Sequence, residues 1–312
     1  MTEVIESRFD RVRRQRREQL LTQFVDRSAE MALFQQVLDT DELPVMVVTA
    51  ESGMGKSSLL MRMVHECALR HLPKAEVEWS SVHVLDELSV LRSLRDALGV
   101  DSFAAFTDLA NYYTDLSYTP RLEINVNLVG GNLQVAGGAS ISNSSIGDVA
   151  GVVLRDNNFM VQRSDLAVPD EVRRQQLTKR FLEGLAQLSA SQLVVLFFNA
   201  TEKMSDATHQ WLWGRFLRPI VDGALPRVRA VLLGQRPPPD DADLAALMAR
   251  VQLQPLCAED IDAYIEKRAA GVAEISAETR RELAAMLSAM TRGRPADVAA
   301  AVELYLKSRS AT

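Results

Sequence analysis

The chain has 312 residues, with 35 Lys and Arg against 41 Asp and Glu, giving a formal charge of −6 that weighs against a surface gripping nucleic acid throughout. Hydrophobic residues at 47% and charged residues at 24% exclude disordered, collagen-like and coiled-coil classes, and the length predicts about two domains. Two cysteines, no apolar run longer than Leu193 to Phe198, and an Arg-rich start without a signal-peptide core predict a cytoplasmic protein with no membrane partner.

In chain order, residues 1–21 read as a basic N-terminal helix, with Arg at 8, 11, 13, 14, 16 and 17 and Phe9, Val12 and Leu20 or Leu21 on one side. Met31, Phe34, Val37 and Leu38 then share the face of a helix that Asp26 or Ser28 is placed to cap. Pro44 precedes a buried strand, Val45 to Ala50, which runs into a Gly-containing turn and a helix lined by Leu60, Met63, Val64 and Cys67. A second strand is expected over Glu76 to Leu85, and helices over Asp86 to Leu98 and Ser102 to Tyr113.

Residues 118–165 differ in kind. They hold six of the fifteen glycines and six asparagines, and Leu122, Ile124, Val126 and Leu128 alternate with polar residues. This predicts an insertion of short β-hairpins, with a flexible linker as the lesser reading.

Pro169 opens a helix to about Leu188. A strand over Gln192 to Phe198 follows, then a helix with Trp211, Leu212 and Phe216, a strand over Val228 to Gly234, a helix over Asp241 to Met248 and a strand around Val251 to Leu253. On that helix Trp211 and Trp213 cannot share a face, so one is expected in the core and one half-buried. From Cys257 on, the pattern is helix in three pieces. The fold class is α/β: a parallel sheet covered by helices (22–255), a β-rich insertion within it (118–165), and an all-helical C-terminal domain (256–312).

The chemistry centres on Ala50-Glu51-Ser52-Gly53-Met54-Gly55-Lys56-Ser57-Ser58. Strand, Gly-rich turn and helix N-terminus converge backbone N–H groups on one point, where the helix dipole adds about half a positive charge. Gly53 and Gly55 admit close approach of phosphate oxygens, Lys56 suits β- and γ-phosphates, and Ser57 suits Mg²⁺. This is a Walker A pattern with Ala50 where its first Gly belongs, a departure costing about 1 kcal/mol if the position needs positive φ. The strand that would carry the metal carboxylate ends in Asn199, with Ala200 after it. Asn offers a neutral oxygen, so metal affinity and water activation weaken, and Glu202 is the nearest acid able to polarise a water or, equally, to sit solvated in a loop. Cys67 and His71, at i and i+4 with His65 nearby, are better explained by packing and solvent exposure than by metal ligation. No nucleophile with a His base and an orienting acid is evident.

The run Phe24-Val25-Asp26-Arg27-Ser28-Ala29-Glu30 resembles the first motif of the STAND class of signal-transducing ATPases, a P-loop group close to the AAA+ branch. Val231 to Arg236 resembles its sensor 1 strand, and Leu256 to Ile261 with Thr291-Arg292-Gly293-Arg294-Pro295 resembles its helical lid. The likeness covers most of 22–110 and 170–308. It implies a P-loop NTPase fold binding ATP or ADP with Mg²⁺. Val25 and Pro295 would flank the base, Arg27 would lie close to it, Arg236 would sense the γ-phosphate, and Ser52 to Ser58 would hold the phosphates, with Ser57 and Asn199 on the metal. Lys56, Glu202 and Arg236 would be the catalytic set.

The leading expectation is therefore a nucleotide-controlled switch of slow turnover. Its sensor or effector would act in trans, because the chain begins and ends close to the core, and the 118–165 insertion would serve homo-oligomer assembly or docking. The resemblance also suggests a place in bacterial defence or antiviral signalling. Two alternatives stand beside it: an inactive scaffold stabilised by nucleotide, motivated by Asn199 and Ala200, and an AAA+ motor on nucleic acid, motivated by the Arg8–Arg17 cluster. Arg215, Arg218, Arg227 and Arg250 are not distinguished as an arginine finger.

Overall fold

The computed structural model describes residues 27–79, 85–118, 124–129, 132–135, 140–141, 152–155, 158–161, 169–270 and 274–310. The expected basic helix over 1–21, Val25, Asp26 and part of the expected second strand lie outside these residues. The chain forms two compact units, one of residues up to Ser102 and from Leu185 on, the other Phe103–Gly184.

The larger unit is built on a sheet of β1 (Val45–Thr49), β2 (Lys74–Glu78), β8 (Val194–Asn199), β9 (Val228–Gly234) and β10 (Met248–Gln252). Its order is β10-β1-β9-β8-β2, with every pairing parallel. The central strands are near-continuous apolar runs because helices cover both faces, as the sequence predicts for a parallel sheet. β9 is buried along all seven residues and still contains Arg229. That guanidinium donates to the carbonyls of Val37, Thr40 and Pro226, each at 2.7 Å, and to the Asp41 carboxylate at 2.5 Å. The buried charge is thus satisfied by the end of the helix beneath it.

That helix is α1 (Ser28–Asp39), burying Phe34, Val37 and Leu38. Its N-cap is Arg27, in the left-handed region with φ 72°, and no side chain caps it. Ser28 is its first helical residue rather than the expected cap. α2 (Lys56–Leu69) follows β1, and α3 (Glu87–Leu98) is capped by Asp86, which accepts the Ser89 N–H at 2.8 Å. α2 ends at Leu69, so His71, at φ 55°, leaves the helix that carries Cys67. Cys67 is fully buried in the core, and burial pushes its thiol up to about 12.

The second unit contains α4 (Ala104–Tyr118) and the antiparallel strands β3 (Ile124–Val129), β4 (Asn132–Val135), β5 (Ser140–Ile141), β6 (Val152–Arg155) and β7 (Asn158–Val161). They pair in the order β5-β4-β3-β7-β6, the hairpin-rich arrangement expected of the insertion. Its start, Phe103 and Phe106, packs on Phe181 with ring centroids 4.7 and 5.5 Å apart. Phe181 belongs to α5 (Asp170–Ser189).

Between β8 and β9 run a 3₁₀ turn at Thr201–Lys203, α6 (Asp206–Trp211), a π-helical stretch at Leu212–Phe216 and α7 (Arg218–Val221). Both Trp211 and Trp213 are buried, at 4% exposure each, which corrects the expectation of one half-buried ring. Trp211 packs on Phe216 with ring centroids 5.3 Å apart and Trp213 lies 6.3 Å from the His209 ring, so both sides of the element are covered. Past α8 (Ala242–Ala246) and β10, the helices α9 (Ala258–Ala269), α10 (Ala277–Thr291) and α11 (Pro295–Ser310) enclose their own apolar core of Ile261, Ile265, Leu283, Leu287, Val298 and Val302. Arg280 ties α10 to α9 through Asp262 at 2.7 Å and Glu266 at 3.1 Å.

Candidate nucleotide site

The loop joining β1 to α2 lies at the C-terminal end of the sheet, where ligands of open α/β folds bind. Its positive φ values fall on Gly53 (82°) and Gly55 (88°), whereas Ala50 is not among the positive-φ residues. The missing first glycine therefore carries no strain. Met54 inserts its side chain into the core and anchors the loop.

Each carbonyl from Ala50 to Gly55 has a donor. Lys56 Nζ donates to Ala50 at 2.5 Å and to Glu51 at 2.9 Å. Arg294 Nη2 donates to Ser52 at 3.0 Å, the Ala296 N–H to Gly53 at 3.1 Å, Arg27 Nη2 to Met54 at 3.3 Å, and the Leu59 N–H to Gly55 at 3.0 Å. The carbonyl dipoles are thereby engaged, while the N–H groups of Lys56, Ser57 and Ser58 open the helix and have no partner one turn back within it. Such a loop is suited to accept anionic oxygens. Two of the three Lys56 N–H bonds are used, which leaves a third for a phosphate. Burial pulls the Lys56 ammonium below its ordinary value, opposed by the Glu202 carboxylate.

The lid meets the loop directly. Gly293 has φ 67°, and a Cβ there would lie 2.2 Å from the Leu256 carbonyl, so only glycine makes this turn. The turn is closed by the Leu256 N–H donating to Gly293 at 2.8 Å. It delivers Arg294 and Ala296 to Ser52 and Gly53 and sets Pro295 against Gly55, 3.8 Å from where a Cβ would stand. Arg27 is buried at 5% exposure and bridges the Met54 carbonyl of the loop and the Gln254 carbonyl, the latter at 2.8 Å, where β10 leads to the lid.

At the end of β8 the Asn199 side-chain oxygen Oδ1 accepts the Ala200 N–H at 2.9 Å, and its side-chain Nδ2 donates to Glu78 at 3.3 Å. Ala200 adopts left-handed geometry (φ 58°, ψ 44°) and turns the chain toward β9. Glu202 accepts the Gln235 N–H at 3.2 Å. Thr201 packs so closely on Gly234 that a Cβ there would stand 1.9 Å from its hydroxyl. Because the Gly234 carbonyl accepts the Ala50 N–H at 3.1 Å, these contacts carry Glu202 across β9 toward the loop. Arg236 pairs with Asp206 at 2.9 Å.

Lys56, Glu202, Gly53, Gly55 and Pro295 are thus brought to one end of the sheet. Arg294, Ala296, Thr201 and Gly234 were missed by sequence reasoning. The Gly-x-Pro run that marked Pro295 was the available pointer to Arg294, its middle residue.

No family profile and no curated protein matches the chain. Solved structures similar to it include Cdc6p from Pyrobaculum aerophilum (13% identity, 97% of this chain and 63% of that one, TM-score 0.46). A second is a STAND protein with a tetratricopeptide repeat sensor from Pyrococcus horikoshii (13%, 87% and 28%, TM-score 0.42). A third is the RuvB branch migration motor of Thermotoga maritima (11%, 90% and 61%, TM-score 0.42). The chain spans less than two-thirds of the length of each. Its own parallel sheet, the glycine-rich loop between β1 and α2 and the helical C-terminus make it an α/β fold of the P-loop type.

Proposed function

We propose that the protein is an ATP-controlled switch of the STAND type, in which nucleotide state sets the contact between the sheet and the helical lid. The observation that carries this reading is the engagement of every loop carbonyl from Ala50 to Gly55, which leaves the loop's remaining polarity to N–H groups and Lys56. Gly53 to Ser58 and Lys56 would hold the phosphates, with Ser57 on Mg²⁺. The bound metal supplies charge neutralisation at the phosphates. Glu202 is the acid that orients water, a role supported by its reach across β9 and its charge on Lys56.

In this reading the lid responds to nucleotide because Arg294 and Ala296 contact the same loop that grips phosphate. Partners, whether further copies of the chain or a separate sensor or effector, would dock on the 118–165 insertion. A role in bacterial defence belongs to the same proposal.

An inactive, nucleotide-stabilised scaffold is the second reading, favoured by Asn199, whose side-chain oxygen accepts the Ala200 N–H. The test is release of γ-phosphate from ATP over hours by the wild type, Lys56→Ala and Glu202→Gln. The switch reading expects slow release that both variants abolish. Nucleotide binding without any release selects the scaffold, and the absence of binding removes both.

A further inference from the structure

Arg236 follows β9 by two residues. Gly234 pairs in register with Thr49, accepts the Ala50 N–H, and precedes Gln235, whose N–H donates to Glu202. Two residues span at most about 7 Å, so the Arg236 backbone lies within about that distance of the strand end beside the loop, in reach of a flexible guanidinium. In the structure Nη1 of Arg236 donates to Asp206 at 2.9 Å, in a pair exposed to solvent at both ends, 39% and 83%.

Asp206 opens α6, where the Ser205 hydroxyl accepts the Thr208 N–H at 3.1 Å. His209, on the next turn, feels the same two charges. Burial first, and then repulsion from Arg236, holds its imidazole below the ordinary value, and Asp206 opposes the shift. With a triphosphate in the loop, as the proposed function has it, Arg236 would face two anions of unequal strength. One is a single, well-solvated carboxylate. The other is a γ-phosphoryl group carrying nearly two charges, which planar guanidinium donors match well.

We propose that Asp206 competes with the γ-phosphate for Arg236 and so sets how strongly the site prefers a nucleoside triphosphate over the diphosphate. This rests on the reading of Arg236 as the residue that answers to the γ-phosphate. A diphosphate has no group to draw Arg236 away, so the Asp206 pair persists when it binds. A triphosphate must break that pair, and its affinity is reduced by the pair's strength. Asp206 is a specificity-determining residue in this scheme and touches no nucleotide itself.

The test is equilibrium binding of Mg-ATP and Mg-ADP to the full chain carrying Asp206→Asn, Arg236→Ala or both. Removing the carboxylate tightens ATP by about 1.5- to 5-fold, the strength of an exposed ion pair, and leaves ADP unchanged. In the Arg236→Ala background the same substitution has no effect on either nucleotide. An equal change for ATP and ADP would show that Asp206 acts only through local structure and would overturn the proposal. No change in ATP affinity, while Arg236→Ala weakens ATP selectively, overturns it and leaves the role of Arg236 intact. If Arg236→Ala leaves ATP affinity unaltered, the reading of Arg236 falls and the proposal with it. The melting temperature of Asp206→Asn, a change at a solvated position, is expected to match the wild type, so an affinity change does not report misfolding.

Discussion

Gly234→Ala is the sharpest perturbation available at the site. The new methyl group would sit 1.9 Å from the Thr201 hydroxyl, 3.1 Å from the Thr201 Cβ and 3.0 Å from a Glu202 oxygen. Rotating the threonine moves its hydroxyl away but leaves its Cβ 3.1 Å from the methyl group, tighter than ordinary contact. Thr201 is buried at 6% exposure, so it must change rotamer inside the core and the 3₁₀ turn that carries Glu202 must give by roughly a few tenths of an ångström. Overpacking of this kind costs about 1–3 kcal/mol of stability. Glu202 rides on the same turn and has an oxygen 3.0 Å from the methyl group, so its displacement also lowers turnover, with about 100-fold as the ceiling set by a shift of about 1 Å. The assays are urea denaturation and γ-phosphate release, with Gly234→Ala/Thr201→Ala as the partial rescue, since it removes the nearer of the two Thr201 clashes. Unchanged stability and turnover in Gly234→Ala would refute the packing argument and, with it, the placement of Glu202.

Gly293→Ala combines positive φ with a 2.2 Å approach to the Leu256 carbonyl. It should destabilise the lid turn by about 1–3 kcal/mol, read as faster amide exchange over 291–297 and quicker proteolysis at the lid boundary. Arg229→Ala strips donors from four carbonyls and should cost about 2–5 kcal/mol in urea denaturation, far more than an exposed arginine. Cys67 has a thiol pushed up to about 12 by burial, so the folded chain keeps its proton where the unfolded chain begins to lose it near pH 9. This contribution is fully present below pH 9 and falls as pH rises from 9 toward 12, by at most about 1.4 kcal/mol per pH unit, and Cys67→Ala should flatten that part of a denaturation series.

The sheet was legible because its strands are short apolar runs bounded by Pro, Gly and charged residues, and β9 falls on the expected residues Val228–Gly234. The loop was legible because its chemistry is local, with glycines, lysine and serine within one turn of chain. What stayed hidden depends on distant segments meeting. Arg294 reaches Ser52 across 242 residues, and Asn199 meets Glu78 across 121, pairings that no periodicity encodes. Nor does composition reveal that Arg27, rather than a serine or aspartate, begins α1 in left-handed geometry, held by carbonyls from the loop and from the approach to the lid. Trp213 is buried because both sides of its element are covered, whereas the spacing rule assumed one exposed side.

The central claim is that the Ala50–Ser58 loop holds a triphosphate. A crystal structure of the protein with Mg-ATP tests it directly. The account predicts phosphate oxygens on the N–H groups of Gly53 to Ser58 and a contact from the Lys56 ammonium to the β- and γ-phosphates. ATP bound elsewhere, with Lys56 still donating only to the Ala50 and Glu51 carbonyls, would contradict it.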